Sequence, residues 1–272
     1  MHKFTYSQKP WFIYWELTRS CELACKHCRA EAIKQRHPLE LSFAECQDVV
    51  QQIKAFGHPY PHLIVTGGDP LKRPDFFDIL EHAIHEGIPV SVAPSGTYAL
   101  DYDSIKKFKD LGVQAMSLSL DGATAKSHDA FRGEEHCFQW TMEAAQLAND
   151  IGMPLQFNSL VCAETKDELE GIHETISQFD VLRWSVFFLI PTGRGSSLKS
   201  LKPQETEEIL HWLYDKMKTS RFPIKTTEAH HFRRIAYERL TEKGISPEAI
   251  WQMPLSRGFG IRDGNGIMFL SH

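Results

Sequence analysis

The chain has 272 residues, 42% hydrophobic and 24% charged, which suits one large α/β domain, or a domain with an appendage, with ample apolar material for a core. A formal net charge of −5 gives no electrostatic case for binding a nucleic-acid backbone. No run of about 18 apolar residues occurs, and Met1-His2-Lys3-Phe4-Thr5 lacks the apolar centre of a signal peptide, so the sequence reads as cytoplasmic with no membrane partner.

The first expected strand, over residues 12–17, runs into Ser20-Cys21-Glu22-Leu23-Ala24-Cys25-Lys26-His27-Cys28-Arg29. With a cytoplasmic address, clustered cysteines favour a metal over disulfides. Three thiolates from one loop can hold three irons of a cubane cluster and leave the fourth open to a small molecule. Two other readings exist: thiols buried on one helix face, or a zinc site completed by His27 or His37. Glu22, Lys26 and Arg29 interrupt an apolar helix face, and no second ligand pair at zinc spacing is evident. The scattered Cys46, Cys137 and Cys162 read as buried reduced thiols.

Beyond the loop, strand and helix patterns alternate, the signal for βα units and a parallel sheet. Ser42 and Glu45 form a capping box for a helix over 42–56, which Gly57 stops. A strand over 62–66 leads into Gly67-Gly68-Asp69-Pro70. Ligands of parallel sheets bind beyond the carboxyl ends of strands, where glycines admit close backbone approach; a tight turn closed by Pro70 would use the same residues. A helix over 74–85 ends at Gly87, and a strand over 89–93 ends in Pro94-Ser95-Gly96-Thr97. Ile105, Phe108 and Leu111 mark a third helix, stopped by Gly112. A strand over 114–120 then runs into Asp121-Gly122 and His128-Asp129-Ala130-Phe131-Arg132-Gly133. A helix over 138–151 precedes a strand over 154–161, in which the Asn158 amide must find a partner or cost roughly 1–3 kcal/mol. A sixth strand over 182–189 is followed by Ile190-Pro191-Thr192-Gly193-Arg194-Gly195, with Arg194 read as a solvated loop charge. A helix over 203–217 and a helical segment opening over 226–234 complete the pattern, with His230 and His231 read as exposed polar residues.

Cys-x3-Cys-x2-Cys, Gly-Gly-Asp-Pro about 40 residues later, and Ser-Leu-Asp-Gly followed by His-Asp-x-x-Arg together resemble the radical S-adenosylmethionine enzymes. The similarity is to the branch that matures peptides, activates sulfatases and modifies haem precursors, and it covers about residues 10–220. It implies a (β/α)6 partial TIM barrel with a C-terminal extension: a core over 1–220, then a helical extension over 221–272. There Asp263-Gly264-Asn265-Gly266 and the apolar run after it look like the first turn and strand of a SPASM or twitch region, although no cysteine follows Cys162.

The resemblance further implies that Cys21, Cys25 and Cys28 hold a 4Fe-4S cluster whose open iron binds S-adenosyl-L-methionine. His27, Gly67, Gly68, Asp69, Pro70, Ser95, Ser119, Asp121, Arg132, Asn158 and Leu189 would surround that cofactor. Within that set, the Gly-Gly-Asp-Pro segment receives its amino group, Ser119 and Arg132 its carboxylate, Asn158 its ribose and Leu189 its adenine. Asp69 stands where the family pattern has Glu, and Ser95 where it often has Asn. The implied reaction is one-electron cleavage of the cofactor to a 5'-deoxyadenosyl radical that abstracts hydrogen from a small-molecule or peptide substrate. A flavodoxin or ferredoxin would serve as electron donor. A tetrapyrrole is slightly favoured over a ribosomal peptide, because Arg194 and Arg233-Arg234 would suit propionates. The contrasting reading is a non-catalytic iron-sulfur or zinc protein with a structural or redox-sensing role.

Overall fold

The structure, a computed structural model, describes residues 8–252 and 267–270. Its elements run β1 (Phe12–Glu16), α1 (Phe43–Lys54), β2 (His62–Thr66), α2 (Phe76–His85), β3 (Val90–Val92), α3 (Tyr102–Leu111), β4 (Met116–Ser119), α4 (Ala125–Arg132) and α5 (Cys137–Ile151). They continue with β5 (Leu155–Val161), α6 (Leu169–Ile176), β6 (Arg183–Phe188), α7 (Pro203–Thr219), β7 (Ile224–Thr227), α8 (Phe232–Thr241), α9 (Pro247–Gln252) and β8 (Ile267–Leu270). The strands form one sheet in the order β7-β6-β5-β4-β3-β2-β1-β8, and every neighbouring pair is parallel. The sheet curls into a half-barrel with its helices, the expected partial TIM barrel.

Local chemistry explains several boundaries. Ser42 accepts from the Glu45 amide while the Glu45 side chain accepts from the Ser42 amide, so α1 starts at the anticipated box. Helix α2 begins at Phe76 instead of 74 because Pro70–Lys72 forms a 3-10 turn capped by Asp69, and Arg73, the residue before Pro74, is extended. Helix α4 is an addition to the sequence reading; Thr124 caps it through the Ser127 amide and Gly133 ends it in the left-handed conformation. Helix α6 is a second addition.

The larger correction lies at the chain's later part, where a helical segment was expected to open at Thr226. Thr226 and Thr227 instead close strand β7, whose residues pair with β6, and helix α8 starts at Phe232. Four residues rich in β-branched side chains are too short to announce a strand by alternation, whereas the unpaired edge of β6 supplies their backbone with partners. The sheet therefore runs past residue 220. Of the expected SPASM-like turn and strand, 263–266 lie outside the described residues, and Ile267–Leu270 pairs with β1.

The two faces of the sheet differ. Ile13, Trp15, Leu63, Val65, Val90, Val92, Met116, Leu118, Leu155, Phe157, Trp184 and Val186 belong to one continuous buried core with residues of the helices, including Phe76, Phe108, Ala145 and Leu213. Trp184 shows the fit: it is fully buried, its ring meets Trp212 of α7 edge-on, and its Nε1 donates to Ser159 Oγ at 2.9 Å. The alternate residues Tyr14, His62, Ser117, Ser119, Gln156 and Asn158 are only half-buried and point to the opposite, concave side. One face is sealed by helices and apolar; the other is reachable and carries polar groups beside the half-buried Phe12, Ile64, Leu160 and Phe187. Among the described residues no helix is long and apolar enough to cross a membrane.

Candidate active site at the carboxyl ends of the strands

The cysteine loop leaves β1 and is gripped from three sides. Gly68 N donates to Thr18 O at 2.6 Å and Asp69 N to Ser20 O at 2.7 Å, tying it to the end of β2. Ala24 N and Lys26 N donate to Arg132 O and Phe131 O at 3.1 and 3.0 Å, tying it to the end of α4. Arg194 supplies the third hold: its amide donates to Cys28 O at 3.1 Å, Nε to Cys25 O at 2.9 Å and Nη1 to Ala32 O at 3.0 Å. Arg194 is thus a half-buried staple of the loop and not a solvated charge, with Nη2 alone left without a hydrogen-bond partner.

The paired glycines have a purpose closer at hand than ligand approach. A Cβ on Gly67 would stand 2.5 Å from Thr18 O and one on Gly68 2.4 Å from Ser20 O, so any side chain would push the β2 end off the cysteine loop.

Each candidate sulfur receives its own donor. Cys21 Sγ accepts from Leu23 N at 3.4 Å and stands 3.4 Å from Ser95 Oγ; Cys28 Sγ accepts from Ala32 N at 3.4 Å; Cys25 Sγ takes Arg132 Nη1 at 3.6 Å. Cys21 and Cys25 are buried and Cys28 partly exposed. Burial pushes the Cys21 thiol up to about 11 and raises Cys25 as well, so metal binding must displace their protons. Three sulfurs from one loop, with hydrogen bonds aimed at them, form a donor set that fits an iron-sulfur cluster. Among the described residues, no three His, Cys, Asp or Glu side chains are grouped to hold a single metal ion. Cys137 is a buried thiol as expected, but it packs in one small cluster with Cys21, Leu23 and Cys25, a proximity no spacing could announce.

The structure joins the remaining candidates into three groups. Asp69 is fully buried: it accepts from Leu71 N at 3.2 Å, Ser95 N at 3.4 Å and Thr97 Oγ1 at 3.1 Å, while Ser95 Oγ donates to Gly68 O at 3.0 Å. The β2 and β3 ends are thereby locked together, with buried Pro70 opening the turn between β2 and α2.

The second group centres on the buried ion pair of Arg132 with Asp121, whose other oxygen accepts from Leu160 N at 2.6 Å. Burial alone would raise the Asp121 carboxyl, but Arg132, then His27 and the Leu160 amide, hold it below its ordinary value. His27 stacks on Phe131 with centroids 5.1 Å apart, and burial lowers it to about 4, so it is neutral at pH 7. His27 Nδ1 and Arg132 Nε are buried without a hydrogen-bond partner, polar atoms facing a place where a polar ligand would satisfy them. His128, which accepts from Asp121 N through Nδ1 at 3.2 Å, belongs to this group although its role was not foreseen.

The third group is on the sheet. Ser119 and Asn158 are register partners on β4 and β5, and Gln156 Nε2 donates to Asn158 Oδ1 at 2.7 Å, meeting the amide's need for a partner. Leu189 follows β6, its amide bonded to Val161 O at 3.1 Å, close to Gly195 of the stapling loop. Ser119 and Arg132 share no hydrogen bond or ion pair, because Asp121 and Cys25 occupy the guanidinium. Of the Arg233-Arg234 pair, Arg234 is taken by Glu207 and Glu238.

Two outcomes follow from these contacts. Arg132→Ala strands a buried carboxylate and should destabilise the protein by about 3–5 kcal/mol in urea unfolding, whereas Asp121→Asn added to it should recover much of that loss; equal instability of single and double variants would refute the pairing. Burial raises the Asp69 carboxyl from 3.8 to about 6. The folded metal-free protein therefore binds that proton more tightly than the unfolded chain. The contribution to stability is full below about pH 4 and lost as pH rises through 6, amounting to roughly 2–3 kcal/mol. Asp69→Asn should flatten that slope in unfolding curves measured from pH 4 to 7.

Comparison with known proteins agrees with the site. Residues 15–176 match the Radical SAM superfamily. An AdoMet-dependent heme synthase of Nitratidesulfovibrio vulgaris is 36% identical over 96% of this chain and 71% of its own length, and one of Methanosarcina barkeri is 34% identical over 96% and 74%. The mycofactocin maturase MftC of Mycobacterium ulcerans is 28% identical over 76% of this chain and 54% of its own. Among solved structures, Streptococcus suis SuiB bound to its precursor peptide SuiA aligns over 97% of this chain with a TM-score of 0.74 at 15% identity, this chain covering 57% of that one. The chain thus spans little more than half of that solved relative. Its fold, its three-cysteine loop and these matches place the chain in the radical SAM superfamily, whose enzymes use a 4Fe-4S cluster and S-adenosyl-L-methionine.

Proposed function

We propose that Cys21, Cys25 and Cys28 hold the cluster and that the chain acts on a tetrapyrrole of a haem-forming route, with ribosomal peptides as the competing substrate class. The observation carrying the catalytic reading is the triply gripped loop, which presents three separately hydrogen-bonded sulfurs at the carboxyl edge of an open half-barrel. Higher identity over a larger share of the chain to the heme synthases than to the peptide maturase favours the tetrapyrrole.

When bound, cluster and cofactor supply one-electron cleavage to a 5'-deoxyadenosyl radical that abstracts a substrate hydrogen. The chain's own residues position and shield. Arg194 and the close-packed Gly67 and Gly68 keep the sulfurs in place, and Ser95 links Cys21 to the Gly-Gly-Asp-Pro turn. His27, Gly67, Gly68, Asp69, Pro70, Ser95, Ser119, Asp121, Arg132, Asn158 and Leu189 border the cofactor, of which Asp121 and Asp69 act through the groups they hold. The helix-covered face excludes water from beneath. On the sequence resemblance the segment after β7 opens a SPASM- or twitch-like extension, the chain works in the cytoplasm, and a flavodoxin or ferredoxin delivers the electron.

Anaerobic reconstitution should give about four irons per chain, lost on changing Cys21, Cys25 or Cys28 to Ala and kept on changing Cys46 or Cys162. Reduced protein given S-adenosylmethionine should form 5'-deoxyadenosine and methionine, faster with a carboxylated iron porphyrin than with precursor peptides. A fully loaded cluster that leaves the cofactor intact would point to the structural or redox-sensing role instead.

A further inference from the structure

The concave face carries charge that the cofactor residues do not use. Cα register runs Ser119–Asn158 across β4 and β5, Asn158–Ser185 across β5 and β6, and Ser185–Lys225 across β6 and β7. Lys225 thus lies in the same cross-strand row as Ser119 and Asn158. One row nearer the strands' amino ends, Ser117, Gln156 and Arg183 are partners in turn. Arg183 and Lys225 are therefore diagonal neighbours on adjacent strands, the spacing within reach of long side chains. Their charges feel each other: Lys225 is lowered by desolvation first and by Arg183 second, with Glu228 a weaker counterweight. Across the curled sheet, the phenol of Tyr14 on β1 is also within electrostatic reach of Arg183. Both cationic residues are exposed, and among the described residues neither forms an ion pair with a carboxylate.

We infer that Arg183 and Lys225 form a carboxylate-binding subsite on the concave face, holding an acid side arm of the substrate while the reacting part lies toward the cysteine loop. Two neighbouring cations that form no ion pair repel, so an anion between them relieves that repulsion as well as gaining its own attraction. A planar guanidinium fork beside an ammonium matches a carboxylate's two oxygens. The position matters too. Lys225 shares the row that the cofactor reading assigns to Ser119 and Asn158, two strands away, and Arg183 sits one row nearer the amino ends, so a side arm held there leaves the body of a large substrate directed toward the strand ends.

This inference deepens the tetrapyrrole reading and rests on it, and esterification separates the two. The reconstituted protein is titrated with an iron porphyrin bearing propionates and with the same macrocycle as its methyl ester, in the parent, Arg183→Gln and Lys225→Gln proteins. The parent should prefer the acid by on the order of tenfold or more, and each variant should lose most of that preference. Iron content and S-adenosylmethionine affinity should stay unchanged, which shows that the variants fold. A preference for the acid that survives in both variants overturns the subsite and leaves the tetrapyrrole reading standing, as does equal binding of acid and ester by the parent. Binding of neither form by the parent overturns the substrate reading and this assignment with it.

Discussion

The buried guanidinium of Arg132 is the contact on which the site's order depends. It pairs with Asp121 beyond β4, donates to the sulfur of Cys25, and sits in the last turn of α4, whose final carbonyls hold the cysteine loop from behind. A charge taken so far from water is tolerable only if an opposite charge meets it in good geometry. Asp121 in turn is fixed by Leu160 N and faces His27, so strand end, helix end and metal loop share one electrostatic knot. Because the partners come from distant stretches of chain, the knot forms only when the barrel has closed around it. Fold and cofactor pocket are therefore completed by the same contacts.

Backbone contacts complement that knot. Gly67 and Gly68 give the loop a neighbour at van der Waals limits, and Arg194 binds three of its carbonyls. A loop held through its main chain keeps its three side chains free for metal. Rigidity here comes from the scaffold, which is what positioning a reactive centre requires.

Much of this was legible beforehand because the informative signals were local. Cys21, Cys25 and Cys28 announce metal chemistry by spacing alone, and the Ser42 to Glu45 box and the Gly112 stop mark helix ends through contacts within a few residues. What escaped was non-local. Arg194 looks like a loop charge because its partners, Cys25 and Ala32, are over 160 positions away. Cys137 looks isolated until α5 packs beside the loop. Strand β7 carries too few residues to show a period, and exists because β6 has an edge to pair. The partners that Asp69 finds in the chain, Ser95 and Thr97 beyond β3 and the Leu71 amide, were equally beyond local reading.

The half-barrel has its buried core on the helix side, and its concave lining mixes hydroxyls, amides and cations with the half-buried Phe12, Ile64, Leu160 and Phe187. Such a lining can stand wet, so the fold does not need an occupant to be stable. The consequence is evolutionary latitude. Exchanging inward residues such as Ser117, Gln156 or Lys225 changes what the hollow accepts while hardly touching the packing that keeps the sheet together. One scaffold can thus be fitted to a flat macrocycle or to an extended peptide by repainting a single surface.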